Sequence, residues 1–229
     1  MESVTLHTAG GKAFENYVAR PEEGTPLHGC VVVLHEAFGV TDHIKRVCDD
    51  FAGQGYVALA PAMHAFSVGK PEGVVLPVNK AGLDEARQLI GRTAREDIVA
   101  LVAACVAWAA EQGLKAGLCG FCWGGSVAYL GASHVPGVAA CISYYGGQMA
   151  QLAAEAQPTC PTLVHLAAHD RYIPLDEARE SLAANHPAAQ VQIFDADHGF
   201  NRDDGVSYDP GVALVARRMT LDVLEKALR

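Results

Sequence analysis

The sequence predicts an α/β protein: a doubly wound, mostly parallel sheet with helices on both faces. Three observations lead there. Short apolar runs alternate with stretches of helical spacing along the whole chain. The run Cys30-Val31-Val32-Val33-Leu34 is continuously apolar and largely β-branched, as in a strand buried on both faces. The stretch Gly120-Phe121-Cys122-Trp123-Gly124-Gly125 lies between an apolar strand and a helix of small residues, a glycine-rich turn of the kind that joins the two in parallel sheets.

Taken in order, Val4 to Leu6 and Phe14 to Ala19 flank Gly10-Gly11, a hairpin signal. Cys30 to Leu34 follows a polar loop and ends in His35-Glu36-Ala37-Phe38-Gly39. Asp42 to Gln54 carries Ile44, Val47, Cys48 and Phe51 at helical spacing and stops at Gly53 and Gly55. Tyr56 to Ala60 is the next strand, closed by Pro61. Glycines and prolines keep Ala62 to Gly82 from forming a long element. Because it leaves the carboxyl end of a strand, it is expected on the active-site rim. A short helix is expected at Leu83 to Ile90, and a longer one at Asp97 to Gln112 with Ile98, Leu101, Val102, Cys105, Trp108 and Ala109 on one face. Leu114 to Cys119, Val138 to Ser143, Thr162 to Ala167 and Gln190 to Phe194 read as strands. Helices are expected from Pro174 to Ala184 and from Val212 to Leu228.

No repeat or linker interrupts the 229 residues, so one domain, 1–229, is expected. The 17 lysines and arginines against 26 aspartates and glutamates give a net charge of −9 with no basic cluster. That argues against nucleic-acid and anionic-membrane partners. Met1 to Arg20 has no apolar segment after a basic start, and no apolar run approaches membrane-spanning length. Seven cysteines without an export signal point to a reduced, cytoplasmic setting.

A Gly-x-nucleophile-x-Gly turn between strand and helix reads as a nucleophile elbow with Cys122 as the candidate nucleophile; the alternative is a phosphate-holding turn with an inert buried cysteine, and the rest of the chain decides between them. The helix start behind it offers free N–H groups and a positive dipole end, which favour a thiolate and an oxyanion. A base and its orienting acid should then follow on loops after later strands. His198 lies past the Gln190–Phe194 strand, and Asp170 past Thr162–Ala167. Asp195 and Asp197 are the alternative acids. Asp197 adjoins His198 on the chain and Asp195 is still near the strand, so Asp170 is preferred.

These motifs resemble the dienelactone hydrolase family, the cysteine-dependent branch of the α/β-hydrolase fold. The resemblance covers nearly the whole chain, through His35-Glu36-Ala37-Phe38-Gly39, the elbow, Tyr144-Tyr145-Gly146, His169-Asp170 and His198-Gly199-Phe200. It implies an extra carboxylate, Glu36, beside the thiol. It also implies an oxyanion hole from the backbone N–H groups of Ala37 and Trp123, and an arginine, Arg202, that meets a substrate carboxylate. On that basis Glu36 should hold Cys122 as a hydrogen-bonded thiol until a substrate carboxylate displaces it, since a second negative charge nearby is disfavoured. Phe38, Phe66, Trp123, Tyr144, Tyr145 and Phe200 are aromatic and near loop ends; some are expected to line the pocket, with Phe38 and Tyr144 taken as the substrate contacts, and several are expected in the core. The family's Pro-Asp-Leu-Tyr run and second substrate arginine have no counterpart in Pro61-Ala62-Met63-His64-Ala65-Phe66 and the residues up to Arg87.

The function expected is hydrolysis of a small lactone or activated ester through a thioester, without metal or cofactor, by a monomer with a homodimer as the alternative. The competing reading is a thiol-disulfide redox pair, Cys119 and Cys122. A strand position for Cys119 speaks against it, because both cysteines of a thioredoxin-like site sit at the helix start. His165 and His169 have a metal-like spacing, but no set of cysteines and histidines completes a zinc site. His35-Glu36 lacks the helical His-Glu-x-x-His pattern of a metalloprotease.

Overall fold

The computed structural model describes residues 2–229. A hairpin opens the chain, β1 (Glu2–His7) and β2 (Ala13–Ala19), and β3 (Gly29–Leu34) follows with every residue buried. After α1 (Asp42–Gly53) comes β4 (Tyr56–Pro61), also buried throughout. The irregular segment beyond β4 holds only a single turn, α2 (Ala65–Val68). Two helices, α3 (Lys80–Arg92) and α4 (Arg95–Glu111), lead into β5 (Ala116–Phe121). The remainder alternates: α5 (Trp123–His134), β6 (Val138–Tyr144), α6 (Met149–Glu155), β7 (Thr162–Ala167), α7 (Leu175–Asn185), β8 (Gln190–Phe194) and α8 (Pro210–Leu228).

All eight strands form one sheet in the order β1-β2-β4-β3-β5-β6-β7-β8. Both pairings of β2 are antiparallel and the others are parallel. Helices α1 and α8 pack on the sheet, as do α4 and α5, with α4 against α5 and α1 facing α8 across a surface cavity. The expected doubly wound architecture is therefore the one observed. No helix among the described residues is long and apolar enough to cross a membrane.

Strand order and register locate the site. From β3 the chain moves to β4 on one side, then returns to place β5 on the other. Where the winding reverses, the carboxyl ends of adjacent strands open a crevice. The register pairs Leu34 with Gly120, so the loops after β3 and β5 begin side by side. Phe121 pairs with Tyr144, and Tyr144 with His165, extending that edge across β6 and β7.

Helix boundaries differ from the expected ones where caps decide them. Helix α3 starts at Lys80 rather than Leu83 because the Asn79 side chain accepts from Gly82 N–H at 2.9 Å. Helix α8 starts at Pro210 rather than Val212, with Asp209 accepting from Gly211 and Val212. Helix α6 goes unpredicted: its two turns bury only Met149, Leu152 and Ala153.

Candidate active site

Cys122 stands between β5 and α5 at φ 53°, ψ −118°. A side chain there sits in a left-handed region that costs about 1–3 kcal/mol and persists only when the surroundings dictate it. They do. A Cβ on Gly120 would lie 1.9 Å from the Gly124 carbonyl oxygen, and one on Gly124 would lie 2.0 Å from that of Leu34. The elbow is thus pressed against the end of β3, and Cys122 N–H donates to the Tyr144 carbonyl at 3.0 Å. Neither Ala37 nor Trp123 donates its backbone N–H to any acceptor among the described residues.

Of the three candidate acids, the structure brings Asp170 to His198. Its Oδ2 lies 2.7 Å from His198 Nδ1, and its Oδ1 accepts from the N–H groups of Tyr172 and Ile173 at 2.8 and 3.2 Å. The Asp170 side chain is almost wholly buried and the histidine partly so. Asp195 instead pairs with the exposed His169. Burial alone would lower the His198 pKa. The hydrogen bonds and charges of Asp170 and Cys122 outweigh it and push the imidazole up to about 10.

Glu36 differs from its expected arrangement. Its partner is Arg202, which donates through Nη1 to Glu36 Oε2, and no hydrogen bond joins Glu36 to Cys122. Both side chains are about 5% exposed, so this is a buried ion pair. Arg202 also donates from Nε to Asp204 at 2.6 Å. Its guanidinium lies over the Phe38 ring, 5.2 Å from the centroid. Nη2 is buried without a partner. Asp203 turns away to Arg46 and His43.

Tyr144 is corrected as a substrate contact. It is 2% exposed, and its hydroxyl shares a 2.7 Å hydrogen bond with Thr220 of α8, because alternation along β6 turns this side chain toward that helix. The next residue reaches the site instead. Tyr145, at φ 38°, lays its ring 5.0 Å from that of His198. Its hydroxyl is buried and unpartnered, and its pKa is pushed up by burial and then by Glu36 and Cys122. Tyr172 is a further neighbour that sequence reasoning missed, half exposed with its ring 5.0 Å from His198.

The segment after β4 does border the site. Leu76 N–H donates to the Phe38 carbonyl at 2.9 Å, and Gly39 passes so close to Val74 that a Cβ would meet its carbonyl oxygen at 2.1 Å. Phe38, Val68 and Val74 pack with α3 in a small apolar cluster around Ala37.

A model of the dienelactone hydrolase family matches residues 14–228. The chain belongs to the dienelactone hydrolase family. A carboxymethylenebutenolidase of Pseudomonas sp. strain P51 is 29% identical over 238 residues, spanning 98% of this chain and 95% of that protein. Among solved structures, a dienelactone hydrolase-like promiscuous phosphotriesterase from metagenomic libraries superposes with a TM-score of 0.78 at 21% identity, covering 100% of this chain and 99% of that one. A cold-adapted esterase from an Arctic intertidal metagenomic library gives a TM-score of 0.75 at 18% identity, covering 99% and 93%. The fold is shared with both. As a dienelactone hydrolase family member, the protein is a carboxylic ester hydrolase.

Proposed function

We propose that this hydrolase cleaves a small lactone or other activated ester through a thioester on Cys122. The observation that carries the reading is one juxtaposition: a cysteine forced into left-handed backbone at the head of α5, on the side of the sheet edge where His198 is held by Asp170. His198 takes the thiol proton and the sulfur attacks the ester carbonyl. The oxyanion sits on the N–H groups of Ala37 and Trp123, both free of other acceptors. The tetrahedral adduct collapses, the C–O bond breaks, and the imidazolium gives its proton to the leaving alkoxide or enolate. Water, deprotonated by His198, then hydrolyses the thioester and returns the proton to sulfur. A thiolate leaves readily, so an activated ester suits this site and an amide, with its poor leaving group, does not.

Arg202 is the candidate seat for a substrate carboxylate, with one nitrogen already unpartnered and Phe38 beneath it. An incoming carboxylate would compete with Glu36 for the guanidinium. Glu36 freed in this way would stand as a second proton acceptor beside Cys122, in addition to His198, so the nucleophile would form most readily when an acidic substrate is seated. This revises the resting state: Glu36 is held by Arg202 rather than by the thiol. The redox alternative gains no support. Cys119 is fully buried in β5 and burial pushes its thiol up, away from the thiolate that exchange requires.

The test is a panel of p-nitrophenyl esters and unsaturated lactones, assayed with wild type, Cys122→Ala and Cys119→Ala. Turnover should vanish in Cys122→Ala and largely persist in Cys119→Ala; equal loss in both would favour the redox pair. Iodoacetamide should label Cys122 slowly in the free enzyme and faster with a substrate-like acid bound or in Glu36→Gln. Rapid labelling that neither change affects would remove the gating role of Glu36.

A further inference from the structure

Two buried histidines outside the proton-transfer chain hold the loop after β3 by its carbonyl oxygens. His64 stacks on Trp123, with ring centroids 5.0 Å apart and planes 21° apart. Its Nε2 lies 2.7 Å from the Ala37 carbonyl oxygen. A carbonyl oxygen only accepts, so the ring proton is on Nε2, and the unpartnered Nδ1 is left as a lone pair. His35 holds the preceding peptide. Its Nε2 accepts from Met63 N–H at 3.1 Å, so its proton is on Nδ1, which donates to the Glu36 carbonyl at 2.5 Å. That carbonyl and the Ala37 N–H belong to one planar peptide unit and point in opposite directions. Anchoring the oxygen therefore aims the N–H. Both imidazoles are fully buried. Burial lowers the His35 pKa to about 3 and also lowers that of His64, so both rings are neutral.

We infer that His64 and His35 are positioning residues for the oxyanion hole: His64 bridges the two residues whose N–H groups form it, and His35 orients the Ala37 peptide. The inference rests on the thioester reading above. It also gives a task to the run Pro61-Ala62-Met63-His64, where the sequence leaves its family's pattern. That run supplies the Met63 N–H that fixes the His35 tautomer and the imidazole that holds Ala37. Neither histidine gains or loses a proton in the reaction.

The decisive variants are His64→Phe, which keeps a ring against Trp123 but removes the donor, and His64→Gln, which restores one. Removing a whole oxyanion donor costs about a hundred- to a thousandfold in kcat, so loosening the peptide that carries the Ala37 N–H in His35→Leu should cost roughly ten- to a hundredfold, and releasing the Ala37 carbonyl one peptide further on in His64→Phe should cost about tenfold. KM should hardly move, acidic and neutral p-nitrophenyl esters should suffer alike, and His64→Gln should recover most of the rate. Alkylation of Cys122 by iodoacetamide builds no oxyanion and should proceed at the wild-type rate. His35→Leu should show the same split at the neighbouring peptide, which keeps the question open to test if His64→Phe does not fold. A kcat within about twofold of wild type in folded His64→Phe or His35→Leu overturns the clamp. So does an alkylation rate that falls in step with kcat, since that would mean a damaged elbow. If Cys122→Ala turns over like wild type, the thioester reading falls and the clamp with it; if Cys122→Ala is dead while His64→Phe is fully active, only the clamp falls.

Discussion

His198 and the pair His35–His64 are the same residue type in opposite service, and their partners account for the difference. His198 is partly exposed and faces a carboxylate, and its pKa rises to about 10 despite the opposing effect of burial. His35 and His64 are buried against backbone carbonyls, and the His35 pKa falls to about 3. A carboxylate rewards the imidazolium, whereas a carbonyl asks only for a neutral N–H donor. One environment makes a histidine that can move protons, and the other makes one that holds the backbone still.

The largest expected break lies on the charged side. His198→Asn should leave Cys122 without a base and lower kcat by about a thousand- to ten-thousandfold, and Asp170→Asn, which misorients the ring, by up to a similar factor. Stopped-flow acylation rates would check this; a loss below tenfold in both would remove these two residues from the proposed roles.

Next in size is Arg202. Loss of a charge-assisted contact is worth about 1.5–3 kcal/mol, so Arg202→Ala should raise KM for carboxylate-bearing lactones roughly ten- to a hundredfold and for neutral esters far less. The variant also strands Glu36 as a buried, unpaired carboxylate, which costs about 3–5 kcal/mol in such sites. Adding Glu36→Gln should recover stability in a urea melt without recovering KM for acidic substrates. Equal KM changes for both substrate kinds would mean that Arg202 serves only the ion pair.

A smaller effect should appear in the pH dependence of folding. The His198 pKa is raised from 6.5 to about 10 on folding, so the native state binds the extra proton. The stabilisation is fully present below pH 6.5 and is lost as pH climbs through 10. Denaturant midpoints measured across that window should fall in wild type and fall less in His198→Asn. The smallest effect concerns Tyr145. Its buried hydroxyl has no partner, so Tyr145→Phe should leave stability unchanged or slightly raised in the same melts.

Strands were readable from sequence because β3, β4, β5 and β7 are buried along their whole length and are largely apolar, with His165 the one interruption inside β7. The elbow was readable because steric exclusion at Gly120 and Gly124 leaves a local trace in composition. Helix α6 was not, being only two turns long with just three residues, Met149, Leu152 and Ala153, on its buried face. The Glu36–Arg202 pair escaped because its partners are far apart in sequence and meet only when the loops after β3 and β8 converge. Tyr144 and Tyr145 were indistinguishable as neighbours until the direction of β6 gave one to α8 and the other to the site. His64 offered no motif at all; its significance lies in a stack and a carbonyl contact set by tertiary structure.

The strand order has a consequence for synthesis of the chain. Cys122 leaves the ribosome well before His198 and Arg202, which follow the last strand, at the far edge of the sheet from β1. A domain folds as a unit, so the thiol emerges while its proposed base and the cation that holds Glu36 are still unmade, and the site can assemble only when the last loop is out. A nascent chain would therefore carry an idle cysteine, and catalytic competence would arrive only with the final loop and α8.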